Sequence, residues 1–176
     1  MKKVFSVLVE NTSGVLSHVS GLFSRRGYNI DSFSAGVTAD PRFTRMTIVA
    51  SGDELILEQI EKQLAKLCDV VDIKVLEPSS SVTRELMLIK IRATGEMKMK
   101  NGLFSFAEHL ERYHAKTVDV DLPNDAVVVE IVGNHDKLDA YLMDIETMGC
   151  DILELARTGI TGLSRGTDGV VNPDER

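Results

Sequence analysis

The sequence predicts an α+β chain built from two β-α-β-β-α-β units in tandem. Three observations predict it. Short runs of alternating apolar and polar residues are interleaved with apolar residues at helical spacing, in the same order in both halves. A polar, Ser-rich stretch, Glu77-Pro78-Ser79-Ser80-Ser81, divides those halves as a linker would. The length of 176 residues suits one domain or two small ones.

Each element has its own signal. Lys3 to Val9 reads as the first strand, followed by the polar cluster Glu10-Asn11-Thr12-Ser13-Gly14. Val15, Leu16, Val19, Leu22 and Phe23 then recur at helical spacing. Arg25 and Arg26 suit the negative end of that helix, and Gly27 supplies a left-handed cap. Tyr28 to Val37 is a strand whose imperfect alternation points to a bulge at Ser32-Phe33. The turn Ala39-Asp40-Pro41-Arg42 leads into a strand carrying Met46, Ile48 and Ala50. Asp53 caps a helix with Ile56, Ile60, Leu64 and Leu67 on one face. Val71, Ile73 and Val75 form the next strand.

The second half repeats the pattern with little identity to the first. Leu86 to Ala93 is a strand, and Leu103, Phe106, Ala107 and Leu110 mark a helix. Val118, Val120 and Leu122 alternate with Asp119 and Asp121, and Pro123-Asn124-Asp125 turns the chain. The Val-dense run Ala126 to Val132 suits a sheet centre. Leu138, Tyr141, Leu142 and Ile145 mark a helix ended by Gly149, and Ile152 to Arg157 is the last strand. Both halves are therefore ferredoxin-like, each a four-stranded antiparallel sheet with its helices on one face. The expected boundaries are 1–77 for the first domain, 78–83 for the linker, 84–158 for the second domain and 159–176 for a Gly-rich, polar, mobile tail. Small cores and uncovered sheet faces lead to an expectation of self-association.

Composition excludes several classes. A hydrophobic fraction of 43% with 27% charged residues excludes collagen-like, disordered and disulfide-scaffold chains. The net charge of −7 opposes nucleic-acid binding. No apolar run approaches the ~18–20 residues of a membrane span. Lys2-Lys3 and the apolar residues after them resemble the start of a signal peptide, but Glu10 ends the run and no small-residue cleavage site follows. The expected location is cytoplasmic. Cys68 and Cys150, the two cysteines, make no metal-ligand spacing and read as small buried hydrophobes.

The chain carries no nucleotide, zinc-protease or nucleophile-elbow motif. Of the histidines His18, His109, His114 and His135, the pair His109 and His114 reads as surface rather than metal-binding. Asp119 and Asp121 read as a solvated sheet face. An acylphosphatase-like reading lacks the Arg required in the first loop, and an RNA-recognition reading lacks aromatics on the central strands.

One constellation rises above this background. Gly14 leaves the backbone bare at a helix start, where free N–H groups and the dipole favour an anion such as a carboxylate. Asn11 and Asn29 add uncharged donors and acceptors, while Val15, Leu16 and Ile30 offer apolar walls. Such a set suits a small apolar amino acid. The alternative is ordinary capping by the Thr12 or Ser13 hydroxyl, with Gly14 serving only the turn.

Asn11-Thr12-Ser13-Gly14-Val15-Leu16, Gly21 to Ile30 and Arg45-Met46-Thr47-Ile48 closely resemble the N-terminal ACT domain of the acetolactate (acetohydroxyacid) synthase small, regulatory subunit. Glu58 to Leu64 with Lys66-Leu67 continues the resemblance. In the second half, Arg84 to Ile91, Lys137-Leu138-Asp139-Ala140, Arg157-Thr158-Gly159 and Leu163-Ser164-Arg165-Gly166 carry it on. His18 stands where family members often have Arg, and Gly95 to Asn101 departs from the usual helix entry.

The resemblance implies a subunit without catalytic residues, cofactor or metal of its own. Its partner is the catalytic large subunit, which holds thiamine diphosphate, Mg and FAD and makes acetolactate or acetohydroxybutyrate from pyruvate in valine, leucine and isoleucine synthesis. The small subunit raises that activity and confers feedback inhibition by valine. Two N-terminal ACT domains pair edge to edge, giving a homodimer with valine in the interface. By matching position, Asn11, Gly14, Val15 and Leu16 of one chain face Asn29 and Ile30 of the other. The remaining alternative is a stand-alone ACT-type amino-acid-binding module that regulates another partner.

Overall fold

The computed structural model describes residues 1–92 and 100–167, apart from the side chains of residues 100–105. It divides into two units, one of Met1–Thr83 with Gly159–Arg176 and one of Arg84–Thr158.

The first unit runs β1 (Lys2–Glu10), α1 (Val15–Arg26), β2 (Ile30–Val37), β3 (Phe43–Ser51), α2 (Glu54–Leu64) and β4 (Val70–Val75). Its strands lie in the order β2-β3-β1-β4, each neighbour antiparallel. Alternation sends Phe5, Val7 and Val9 of β1 and Met46, Ile48 and Ala50 of β3 to one face, where they pack with Val19 and Phe23 of α1. α1 ends on Gly27 at φ 67°, and the Tyr28 amide donates back to the Phe23 carbonyl at 3.0 Å. Asp53 caps α2 by accepting from the Ile56 amide at 2.8 Å.

Two local expectations shift here. The buried face of α2 is Leu57, Ile60 and Leu64, whereas Ile56 is 37% exposed. Two adjacent apolar residues allow either helical phase, and the sheet accepts Leu57. The bulge in β2 lies between Ile30 and Ser32 rather than at Ser32-Phe33. Asp31 is the extra residue; its carboxylate accepts from Asn29 and Ser51, which draws it out of the ladder.

The second unit contains most of β5 (Ser81–Arg92), then α3 (Lys100–Tyr113), β6 (Lys116–Asp121), β7 (Ala126–Gly133), α4 (His135–Thr147) and β8 (Asp151–Arg157). The strand order is β6-β7-β5-β8, with Val-rich β7 inside the sheet. Met87, Ile89, Ile91, Val129 and Ile131 form the core with Leu138, Tyr141 and Ile145 of α4. β5 begins inside the stretch read as a linker. The Ser80 amide and the Ser81 hydroxyl both donate to the Glu77 carbonyl, which makes a tight turn there. At the far end of the unit Arg157 donates to Glu85 and Asp139, joining β5, α4 and β8 around a carboxylate that is only 5% exposed.

His109 is buried, contrary to the surface reading, while Ala107 is exposed. Its ring stacks on Tyr141 at 4.7 Å between centroids and contacts Tyr113 at 4.8 Å, so the aromatic neighbours draw it inside. Cys150 is buried as expected, but Cys68 is exposed, because the chain leaves the core after Leu67. Ala93, Gly95 to Asn101 and the last residues of the tail lie wholly or partly outside the described residues, as does the Leu103 side chain.

The segment after Thr158 is not a free tail over its described part. It carries β9 (Thr161–Ser164), which pairs with β5 and belongs to the first unit. Gly162 lies against Leu76, Val82 and Thr83, and the Arg165 amide donates to the Ser80 carbonyl at 2.7 Å. The strand also approaches β3 on the sheet face away from the helices, where Ser6, Leu8, Thr47 and Val49 are all buried. The sheet face left open by the helices is thus covered from within the same chain.

Leu57→Ala is expected to cost about 2–5 kcal/mol in equilibrium unfolding, while Ile56→Ala stays within about 0.5 kcal/mol. Equal effects contradict the helix phase described above. Burial holds the His109 pKa below its usual 6.5, with Asp144 opposing and Arg112 assisting. As pH falls below about 6.5 the unfolded chain binds that proton first, so stability declines. Thermal unfolding between pH 7.5 and 5.5 should therefore show a larger fall for the native protein than for His109→Phe.

Candidate functional site

α1 has an unusual start. Its N-cap is Gly14 at φ 94° and ψ −13°, and no side chain caps the helix. Capping by Thr12 or Ser13 is therefore not what the structure adopts. The Val15 amide donates to the Thr12 carbonyl at 3.5 Å, while the next amides of the first turn face outward with the positive end of the helix dipole behind them. A Cβ at Gly14 would meet nothing within 4 Å, so the space in front of this backbone is open. The left-handed φ favours glycine at this position.

Asn11 sits beside this start and is held in place. Its side-chain amide donates to the Pro41 carbonyl at 2.9 Å, and its side-chain oxygen accepts from the Thr44 hydroxyl at 3.1 Å. Its backbone amide donates to the Arg42 carbonyl at 2.7 Å. One amide hydrogen and one lone pair of the carboxamide remain for a ligand. His18 lies one turn into α1, with Nδ1 2.7 Å from Asp69 Oδ2, which ties the helix to the segment before β4. That hydrogen bond holds the Asp69 carboxyl below the usual carboxylate range.

Of the apolar residues expected here, Leu16 is 52% exposed and available to a ligand. Val15 is 7% exposed and packs in the core, so it forms no wall of the site. A helix that buries Val19, Leu22 and Phe23 necessarily turns Val15 inward as well. Val37 supplies apolar surface that reading the sequence missed. It pairs with Thr44, which pairs with Val9 of the core, so Val37 shares the helix side of the sheet. It is 60% exposed at the end of β2, the edge strand. As the last residue of a strand it gives no signal of its own until the register is known.

Asn29 and Ile30 are elsewhere. Ile30 pairs with Ala50, at the opposite end of β3 from Thr44. Six residues of strand put the two ends roughly 20 Å apart. The twelve residues of α1 separate them by a similar distance, about 18 Å. Asn29 donates to Asp31 at 2.7 Å, and Ile30 is half-buried against the core. With Val15 in the core, the other five expected residues therefore fall into two groups at opposite ends of one β2/α1 edge and do not meet within one chain.

Among the described residues, no three His, Cys, Asp or Glu side chains come together to hold a metal ion, and no helix is long and apolar enough to cross a membrane.

Comparison with known proteins accounts for both halves. The AHAS small subunit-like ACT domain family matches residues 5–72, and the small subunit of acetolactate synthase family matches residues 84–166. The acetolactate synthase isozyme 3 small subunit of Salmonella typhimurium is 45% identical over 166 residues, covering 94% of this chain and 97% of that protein. The probable acetolactate synthase small subunit of Methanothermobacter thermautotrophicus is 43% identical over 164 residues, 93% of each chain. The crystal structure of the acetolactate synthase small subunit from Thermotoga maritima superposes with a TM-score of 0.82 at 34% identity, over 96% of this chain and 99% of that one. With a bare-backbone ACT unit followed by the family's second unit, this chain belongs to the acetolactate synthase small subunits.

Proposed function

We propose that this chain is the non-catalytic regulatory subunit of an acetolactate synthase, activating a catalytic large subunit and making it sensitive to valine. The observation that carries the reading is the division of the candidate site. The bare start of α1 and the Asn29-Ile30 pair are both suited to a ligand, yet they stand at opposite ends of the same edge strand.

A second copy of the chain resolves that division. β2 runs Ile30–Val37 at the sheet edge. Antiparallel pairing with a copy about the strand's centre sets Val37 opposite Ile30 of the partner subunit. Gly14, Asn11, Leu16 and Val37 of one protomer then face Asn29 and Ile30 of the partner subunit, and the twofold generates the site twice. The helix start receives the carboxylate of valine, the carboxamides take its remaining polar groups, and Leu16, Val37 and Ile30 surround the isopropyl group. The same pairing removes an exposed strand edge.

A site shared by two chains makes occupancy depend on how they dock. Valine inhibits if it binds one docking geometry better than another, and a coupling of about 1–3 kcal/mol suffices. The chemistry is assigned to the large subunit together with its thiamine diphosphate, magnesium and FAD. In this reading the present chain holds none of these, contacts neither nucleic acid nor membrane, and works in the cytoplasm.

Reconstitution with the cognate large subunit is expected to raise acetolactate formation, and valine is expected to lower it again. No change on adding the chain contradicts the proposal. In calorimetry, Gly14→Asp is expected to weaken valine binding at least about tenfold, because a carboxylate then occupies the open space in front of the helix start. Undiminished affinity in that variant contradicts the assignment of the site.

A further inference from the structure

The return of the chain to the first unit ends in an unusually close contact. Gly159 lies directly against the backbone of Phe33, in the middle of β2. A Cβ there would overlap the Phe33 carbonyl oxygen and stand 2.5 Å from its carbon and 2.9 Å from its nitrogen. All of these are backbone atoms, which cannot rotate aside as a side chain does. The next residue is fixed from both sides. The Ile160 amide donates to the Ser32 hydroxyl at 2.8 Å, and the Ser34 hydroxyl donates to the Ile160 carbonyl at 2.7 Å.

These contacts fall where β2 is weakest. It is an edge strand, paired among the described residues with β3 on one side, and it carries the bulge at Asp31. A one-residue slip there would turn Phe33 out of the core and Ser32 and Ser34 into it. The bulge is also the step that sets where Asn29 and Ile30 project. Phe33 packs into the core on one side of the strand, while Ser32 and Ser34 are gripped on the other. The strand is therefore held on both faces just beyond the bulge.

We propose that Gly159 and Ile160 are positioning residues for the effector site, clamping β2 in the register that presents Asn29 and Ile30. The proposal rests on the valine reading above for its ligand, while the clamp itself is measurable without one. Neither residue touches the ligand. They act through Ser32, Phe33 and Ser34, across more than 120 residues of intervening sequence.

The test uses the full-length protein and two kinds of variant. Gly159→Ala forces the return segment off Phe33. Ser34→Ala removes a hydrogen bond without adding bulk, and Ser34→Thr restores the hydroxyl. Hydrogen exchange of the peptide spanning β2 is expected to quicken about tenfold in Gly159→Ala and Ser34→Ala, with β1 and β4 unchanged. Valine affinity, read by calorimetry, is expected to fall about tenfold in the same variants and to recover in Ser34→Thr. Unchanged β2 exchange in both Gly159→Ala and Ser34→Ala overturns the clamp. Faster β2 exchange with native valine affinity overturns the positioning role. If the native protein itself fails to bind valine, the effector reading falls, and with it the positioning role, while the exchange result still decides the clamp.

Discussion

A four-stranded sheet with both helices on one face leaves an open face and two bare edges, and that deficit governs the first unit. The open face is met within the chain, by β9 and the residues that lead into it. The β2 edge has no such cover among the described residues. It presents backbone donors and acceptors along Ile30–Val37, flanked by exposed Val37 and Leu16. An open strand edge of this kind is a template for pairing with another chain. Under the proposed function a second copy pairs with it, and the division of the expected ligand residues between the two ends of the edge follows from the same geometry.

Small neutral groups are well suited to such a seam. In the proposed dimer, a Lys or Arg in place of Asn11 or Asn29 would bring a formal charge into an interface between identical surfaces, where the twofold doubles it. The uncapped amides of α1 supply positive potential without that cost, and glycine at φ 94° keeps the approach open. Asn11 is held by Thr44 and the Pro41 carbonyl, and Asn29 by Asp31, so little side-chain freedom remains to be lost on binding.

Much of this was legible in the residues. Gly27 takes the left-handed conformation expected at the end of α1, and Asp53 caps α2 as its spacing predicts. The order of elements follows from alternation and helical recurrence in both halves. Other features were hidden because they depend on distant neighbours. Leu57 and Ile56 are equally apolar, and only the sheet chooses between them. His109 enters the core because Tyr141, thirty-two residues away in sequence, provides a ring to stack on. The stretch 159–176 is Gly-rich and polar, which suggests a loose tail; the order of residues 159–164 comes from β2 and the start of β5, contacts that no local pattern records. Val15 belongs to a motif implied by family resemblance, but its helical phase places it with Val19 in the core.

The central claim is that one effector site is built from two chains, and subunit mixing tests it most directly. Gly14→Asp and Asn29→Ala variants, each deficient in valine binding alone, are mixed and allowed to exchange subunits. In a mixed dimer one site carries both substitutions and the other carries neither. Calorimetry on the mixture should then recover native-affinity binding at a single site in each mixed dimer. If mixing restores no binding although mixed dimers form, the site lies within one chain and the account is wrong.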